Sequence, residues 1–440
     1  MSDTPAETSA SPSARAESPE GWSLTRRIAF RFACAYALLF LFPSPLDSLP
    51  MGEELFGELA GTMWEPLVRW VGNHVLHLGG DIEPSVTSSS DTTFAYVRLL
   101  CVFVVAVLAT AVWSLVDRRR RHHEKAYDAL RIYVRYTLAA SMISYGLYKV
   151  IKVQFPFPSP TQLLLTYGES SPMGLLWRFM GYSTGYNVFS GSVEVLGGVL
   201  LLFRRTTTLG ALVVLGAMAN VVMLNFCYDV PVKVNSTHLL LMAAFLTLPD
   251  LRRLLQVFVL NRPTEPAALG KPFARRWMER ARLPAKLLFL GVALIGGGAQ
   301  ALQFALHDGD WAPRPPHFGA YEVETFVRDG DTLPPLLTDG TRWRAAAVDS
   351  HSVLMIIKMD SKRLGYMMKE DPEKKTFTHS GGLGTPEFVL SYAEPDPEHL
   401  VLEGPLDGAS LNVRLRKINP ASFLLVNRSF HWINEFSYNR

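Results

Sequence analysis

Seven stretches of the chain are apolar for long enough to suggest membrane helices, and short basic or proline-bearing connections separate them. The first, IAFRFACAYALLFLF, follows Arg26 and Arg27 and is stopped by Pro43 and Pro45, because proline cannot continue a helix. The second runs from Asp91 to Val116, the third from Tyr133 to Ile151, the fourth from Val188 to Phe203 and the fifth from Thr206 to Phe226. The sixth spans His238 to Leu248 and the seventh Pro284 to Leu306. A crossing helix needs about 20 apolar residues. The fourth and sixth are shorter, so polar loop residues must be drawn in at their outer ends, and a cavity is expected there. Between the first two stretches, Leu55, Leu59, Met63, Leu67, Trp70, Val71 and His74 recur at helical spacing, which predicts an amphipathic helix on or against the membrane. Asp91 is placed to cap the second crossing. SPMGLLWRFMG, within Thr161 to Tyr186, reads as a short helix at the outer face with proline in its first turn.

From Asp308 the period changes to alternation. YEVETFV, TRWRAAAV, SVLMIIKM, RLGYMMK, KTFTH, EFVLSYA, LVLEG, SLNVRLRKI and SFLLVNRSFHWI are separated by DGD, DGT, GG and LDG. Eight or nine short strands at this spacing predict an antiparallel barrel or sandwich. The fold class is therefore a membrane all-α helical bundle with a C-terminal antiparallel β domain. Residues 1–21 are expected to be disordered, 22–260 to form the helical transmembrane domain, 261–283 a basic linker, 284–306 the last crossing and 307–440 the β domain. His317 and His351 stand alone in the pattern, which suits exposed or capping positions, and no nucleophile–base spacing occurs in this region.

Charge orients the bundle. RRRRHHEK, FRR, LRR and KPFARR each adjoin an apolar run, the mark of cytoplasmic loops. That adjacency argues against nucleic acid as the partner of the basic clusters and for membrane lipid. It puts the N-terminus on the cytoplasmic side of a membrane and, after seven crossings, the β domain on the outer side. The chain does not open with the charged-then-apolar pattern of a signal peptide. Cys34, Cys101 and Cys227 form no CxxC pair and read as small buried hydrophobes. His74 and His77 are three apart with no third ligand near, so no metal site is expected.

Several polar residues interrupt the apolar stretches, and ionisable groups at membrane depth cost several kcal/mol unless they face a partner or cavity. Tyr145 and Lys149 are four apart and share a face of the third crossing, with Arg135 on the same face nearer the cytoplasm. Glu194 is flanked by Ser190, Gly191, Gly197 and Gly198, small residues that let a neighbouring helix approach. Asn225, Tyr228, Asp229 and Lys233 lie where the fifth crossing leaves the membrane, and His238 opens the sixth. Glu169, Tyr182 and Tyr186 come from the outer segment. Convergence of this set in the outer half of the bundle would make a site for a polar head with an apolar tail, such as a quinone or lipid. Lys149 and Asp229 would hold oxygen groups, while Glu194 or His238 exchanged protons. The alternative is that Lys149–Glu194 and Asp229–Lys233 are ion pairs that pin helices together.

YGLYK (Tyr145 to Lys149), GxxExxGGxLLxxxRTTTLGA (Gly191 to Ala211) and NFCYDVPVK (Asn225 to Lys233) resemble the DoxX-like integral membrane proteins over Tyr127 to Arg253. The ending FHWINEFSYNR is similar to the tail of larger bacterial members. The resemblance implies a four-helix core and, for some members, a quinone-linked oxidoreductase subunit. This chain adds an N-terminal helix, a seventh crossing and the β tail, and it has no cysteine motif for sulfur chemistry. Three functions stay open: a quinone-interacting subunit fed electrons by a partner protein, a lipid-binding or transport protein, and a non-catalytic scaffold whose β domain binds an external partner.

Overall fold

The computed structural model describes residues 21–46, 52, 56–80, 82–84, 89–266, 276–382, 386–428 and 430–439. The expected disordered segment lies almost wholly outside these residues, as does Leu55. The chain divides into two compact units, Met1–Leu138 and Ala139–Arg440.

In the first unit, α1 (Leu24–Leu41) starts where the Ser23 hydroxyl accepts the Arg26 N–H at 3.3 Å. Helix α2 (Glu58–Trp70) turns Ala60, Trp64 and Val68 inward, at four-residue spacing. Its predicted stripe of Leu59, Met63, Leu67 and Trp70 stays exposed, on the side away from the protein. Helix α3 (Thr93–Val116) is capped by Thr92, whose hydroxyl accepts the Ala95 N–H at 3.2 Å, and not by Asp91 as expected. Trp64, Val68, Ile82, Val97, Cys101 and Val102 make one buried cluster. Helix α4 (Glu124–Val150) begins in this unit and carries the chain into the next.

The second unit continues through α5 (Pro160–Leu163) and α6 (Pro172–Tyr182), the latter with Pro172 in its first turn as the sequence predicts. Then come α7 (Thr184–Leu202), α8 (Thr207–Cys227), α9 (Lys233–Thr247) and α10 (Leu251–Phe258). Helices α11 (Arg276–Gly291) and α12 (Gly297–His307) join through a widened turn. Among the described residues four helical segments are long and apolar enough to cross a membrane: Thr93–Val116, Thr184–Leu202, Thr207–Cys227 and Trp277–His307. Helices also occupy the other three predicted crossings. Of these, α1 carries Arg26, Arg27 and Arg31, α4 carries Arg131, Arg135 and Lys149, and α9 has only 15 residues.

The β strands form one antiparallel sheet that curls into a nearly closed barrel. They are β1 (Gly319–Arg328), β2 (Asp331–Thr332), β3 (Trp343–Val348), β4 (Val353–Lys358), β5 (Arg363–Met367), β6 (Lys369–Asp371), β7 (Thr376–His379), β8 (Phe388–Asp396), β9 (His399–Leu406) and β10 (Ala409–Lys417). The order is β5-β4-β3-β1-β10-β9-β8-β7-β6, with β2 paired to β1. The alternation is clear in β10, where Ala409, Leu411, Val413 and Leu415 point inward. Asp329–Gly330 and Asp407–Gly408 all have positive φ, the requirement of a tight hairpin turn that Asp-Gly meets at low cost. The short β2 and β6 were not legible in the sequence. SFLLVNRSFHWI is not a strand: it holds the short helix α13 (Leu424–Asn427), and its described residues beyond that helix are in neither helix nor strand.

The β domain is tied to the helices of its own unit. Asp310 accepts the Phe157 N–H at 2.9 and 3.1 Å and pairs with Lys152 at 2.9 Å. Asp349 accepts from the Ser159 hydroxyl and the Thr161 N–H, both at 3.2 Å.

Candidate functional site

Helices α4 and α7 cross where neither has a side chain. A Cβ on Gly146 would stand 2.5 Å from the Gly191 carbonyl oxygen, and one on Gly191 would stand 2.5 Å from that of Gly146. Gly198 repeats the contact against the Ala139 carbonyl at 2.9 Å. Lys149 lies three residues after Gly146 and Glu194 three after Gly191, so the close crossing carries both side chains to one place. There Lys149 Nζ donates to Glu194 Oε1, and both residues are buried. The second carboxylate oxygen, Oε2, is buried with no partner among the described residues. Gly197 serves the opposite face, against Val214 of α8.

The remaining candidates find separate partners. The Asn235 amide donates to the Tyr145 hydroxyl at 2.6 Å, linking α9 to α4. The Asn225 amide donates to the Ser236 hydroxyl at 3.0 Å, and that hydroxyl donates to the Lys233 carbonyl at 3.2 Å. His238 stands in the second turn of α9, not at its start, because the helix begins five residues earlier; its Nδ1 is 2.7 Å from the Val234 carbonyl. Asp229 and Lys233 pair at 2.9 Å, with the Asp229 side chain 85% exposed, so this pair joins residues of one bend and does not pin two helices. Tyr228 packs against the cluster of Phe155, Leu176, Met180 and Val230. The Tyr182 hydroxyl donates to the Arg428 carbonyl at 2.9 Å. Tyr186 is exposed between Phe179 and Phe189. Glu169 accepts the Thr166 N–H at 3.1 Å, and that bond holds its carboxyl below the usual range. The expected single converging set is thus two buried contacts, Lys149–Glu194 and Asn225–Ser236, and an exposed one, Tyr145–Asn235, with the other side chains engaged elsewhere.

Sequence reasoning missed Asn235 and Ser236, which looked like loop in CYDVPVKVNST and lie on α9. It also missed Asn187, fully buried, whose amide donates to the Met180 and Ser183 carbonyls at 2.6 and 3.1 Å and fixes the α6–α7 turn. His317 is buried, not exposed: it lies 3.3 Å from Glu370 and 3.4 Å from Glu394, against the rings of Phe377 and Tyr392. The side chain of His351 is outside the described residues. His74 stacks on Trp70, and among the described residues no three His, Cys, Asp or Glu are grouped to hold a metal ion.

Over 124 residues the chain is 36% identical to the uncharacterized protein YwoB of Bacillus subtilis (strain 168), covering 79% of that protein and 28% of this chain. The chain belongs to the YwoB family. Most of its length lies outside the match. No family model and no solved structure matches it.

Proposed function

We propose that this is an integral membrane protein of the DoxX-like type whose helical core receives a ligand with a polar head and an apolar tail, of the quinone class, at Lys149–Glu194. The observation that carries the reading is the unpartnered Oε2 of Glu194. Buried polar atoms in folded chains are nearly always hydrogen-bonded, and an orphan carboxylate oxygen calls for a proton or a donor. In the proposal Lys149 lends a donor to a ligand oxygen. Glu194 passes a proton at Oε2, and a partner protein supplies electrons. The basic clusters beside the apolar helices support an inner-membrane orientation with the N-terminus cytoplasmic and the β domain outside. The test is mass spectrometry of small molecules that co-purify with the full chain in mild detergent. Quinone retained by the wild type and lost on Glu194→Gln or Lys149→Met is the expected result. Quinone absent from the wild type overturns the reading, and a defined phospholipid in its place makes the core a lipid-binding or transport site.

A second reading, a scaffold without chemistry, is favoured by the glycine crossing, which leaves the ion pair wedged between backbones. It predicts that pocket substitutions change stability alone, while crosslinking at the β domain captures a stable partner.

A further inference from the structure

The basic end of α1 and α3 forms an open cleft of about 580 Å³ lined by Gly21, Trp22, Arg27, Arg118, Arg119 and Arg121. That volume is within the range of about 300–1,000 Å³ common to ligand sites. Backbone contacts shape it: the Trp22 N–H donates to the Arg121 carbonyl at 3.1 Å, and Arg27 Nη1 donates to the Arg120 carbonyl at 3.3 Å. Trp22 is held edge-on against Phe30, His123 and Tyr127.

Four guanidinium groups line the cleft, and no carboxylate among the described residues pairs with them. The neighbouring ion pair, Asp117–Arg120 at 3.8 Å, uses an arginine outside the lining. The partly negative C-terminus of α3 is met from behind by the buried Arg31, whose Nη2 donates to the Asp117 carbonyl at 2.8 Å. Arg118, Arg119 and Arg121 therefore keep their donors for something else, and Arg27 keeps those that the Arg120 carbonyl does not take. Guanidinium groups bind phosphate oxygens two at a time, and a bare cluster of them repels itself unless an anion sits there. The cleft also opens beside a greasy wall. Leu108, Val112, Leu115 and Val116 on the last turns of α3 are all exposed, on a helix long and apolar enough to cross a membrane.

We infer that this cleft is a binding site for an anionic phospholipid, with the phosphate of the headgroup between Arg27 and Arg118, Arg119 and Arg121 and an acyl chain along α3. Basic pockets between membrane helices hold anionic headgroups in this manner. The site is distinct from the Lys149–Glu194 core, and it does not depend on what that core binds.

The experiment is native mass spectrometry of the full chain in mild detergent, with phosphatidylglycerol or phosphatidylcholine added at equal concentration. Two double variants remove the same charge from different places, Arg118→Gln with Arg119→Gln, and Arg204→Gln with Arg205→Gln. The wild type is expected to retain phosphatidylglycerol over phosphatidylcholine. Each lost cleft arginine should weaken retention about five-fold, and so the first variant about twenty-five-fold. The second variant should bind as the wild type does. Equal loss in both variants, or no headgroup preference in the wild type, overturns the site. Displacement of the lipid by millimolar inorganic phosphate, with equal binding of phosphate alone, overturns the lipid and leaves a soluble phosphate compound as ligand. The cleft arginines are surface residues, and unchanged thermal unfolding of the first variant separates lost binding from lost folding.

Discussion

Lys149 of α4 donates to Glu194 of α7 inside a bundle of apolar helices, and the two helices touch backbone to backbone three residues before each of them. The charge and the crossing depend on each other. An isolated buried ion is strongly unfavourable, and only a geometry that holds its partner in place offsets the lost hydration.

Removing one partner should hurt more than removing both. Lys149→Met leaves a buried carboxylate alone and is expected to cost about 3–5 kcal/mol, whereas the double variant Lys149→Met with Glu194→Met should recover much of that loss. Thermal unfolding in detergent checks the order. A double variant no more stable than Lys149→Met contradicts the pairing.

The crossing itself is open to test at one atom. Gly191→Ala puts a Cβ 2.5 Å from the Gly146 carbonyl and should destabilise the core by about 1–3 kcal/mol, since the backbones must part. Gly216 of α8 has nothing within 4 Å of its Cβ position, so Gly216→Ala should be neutral or stabilising. Resistance to proteolysis in detergent compares the two.

Asp310, between α12 and β1, holds the segment that follows α4 through the Phe157 N–H and Lys152. Asp310→Ala strands a backbone donor and a cation, at a cost of about 1–3 kcal/mol. Limited proteolysis should then cut between His307 and Phe318 sooner than in the wild type. An unchanged cleavage rate means the contact contributes nothing to docking.

The β domain carries a pH-dependent pair on its surface. Asp396 lies 2.8 Å from His399 Nδ1; that hydrogen bond raises the His399 pKa and lowers the Asp396 pKa. A raised histidine contributes stability fully below its unfolded value and loses it as pH rises through the folded one. A lowered carboxylate contributes above its unfolded value and loses it as pH falls. The pair therefore acts most between about pH 4 and about pH 6.5. In an NMR titration the His399 midpoint should drop when Asp396→Asn is introduced, and a midpoint that stays put rules the pair out.

Local pattern determined much of this molecule. Apolar stretches set where helices lie, because a helix satisfies its own backbone and only its side chains meet the surroundings. Alternation and Asp-Gly pairs set most of the β strands, because a strand shows opposite faces at each step and a tight hairpin needs positive φ. Glu194 was visible for the same reason, as an acid flanked by small residues in an apolar run. Tertiary structure decided the partners. Whether Lys149 reached Glu194, whether Tyr145 met Asn235, and whether His317 was exposed or buried beside Glu370 and Glu394 all turned on helix phase and on strands far apart in the chain. So did the arginine cleft, whose lining comes from residues nearly a hundred positions apart. Periodicity records which face is greasy, and it carries no information on which distant residue that face will meet.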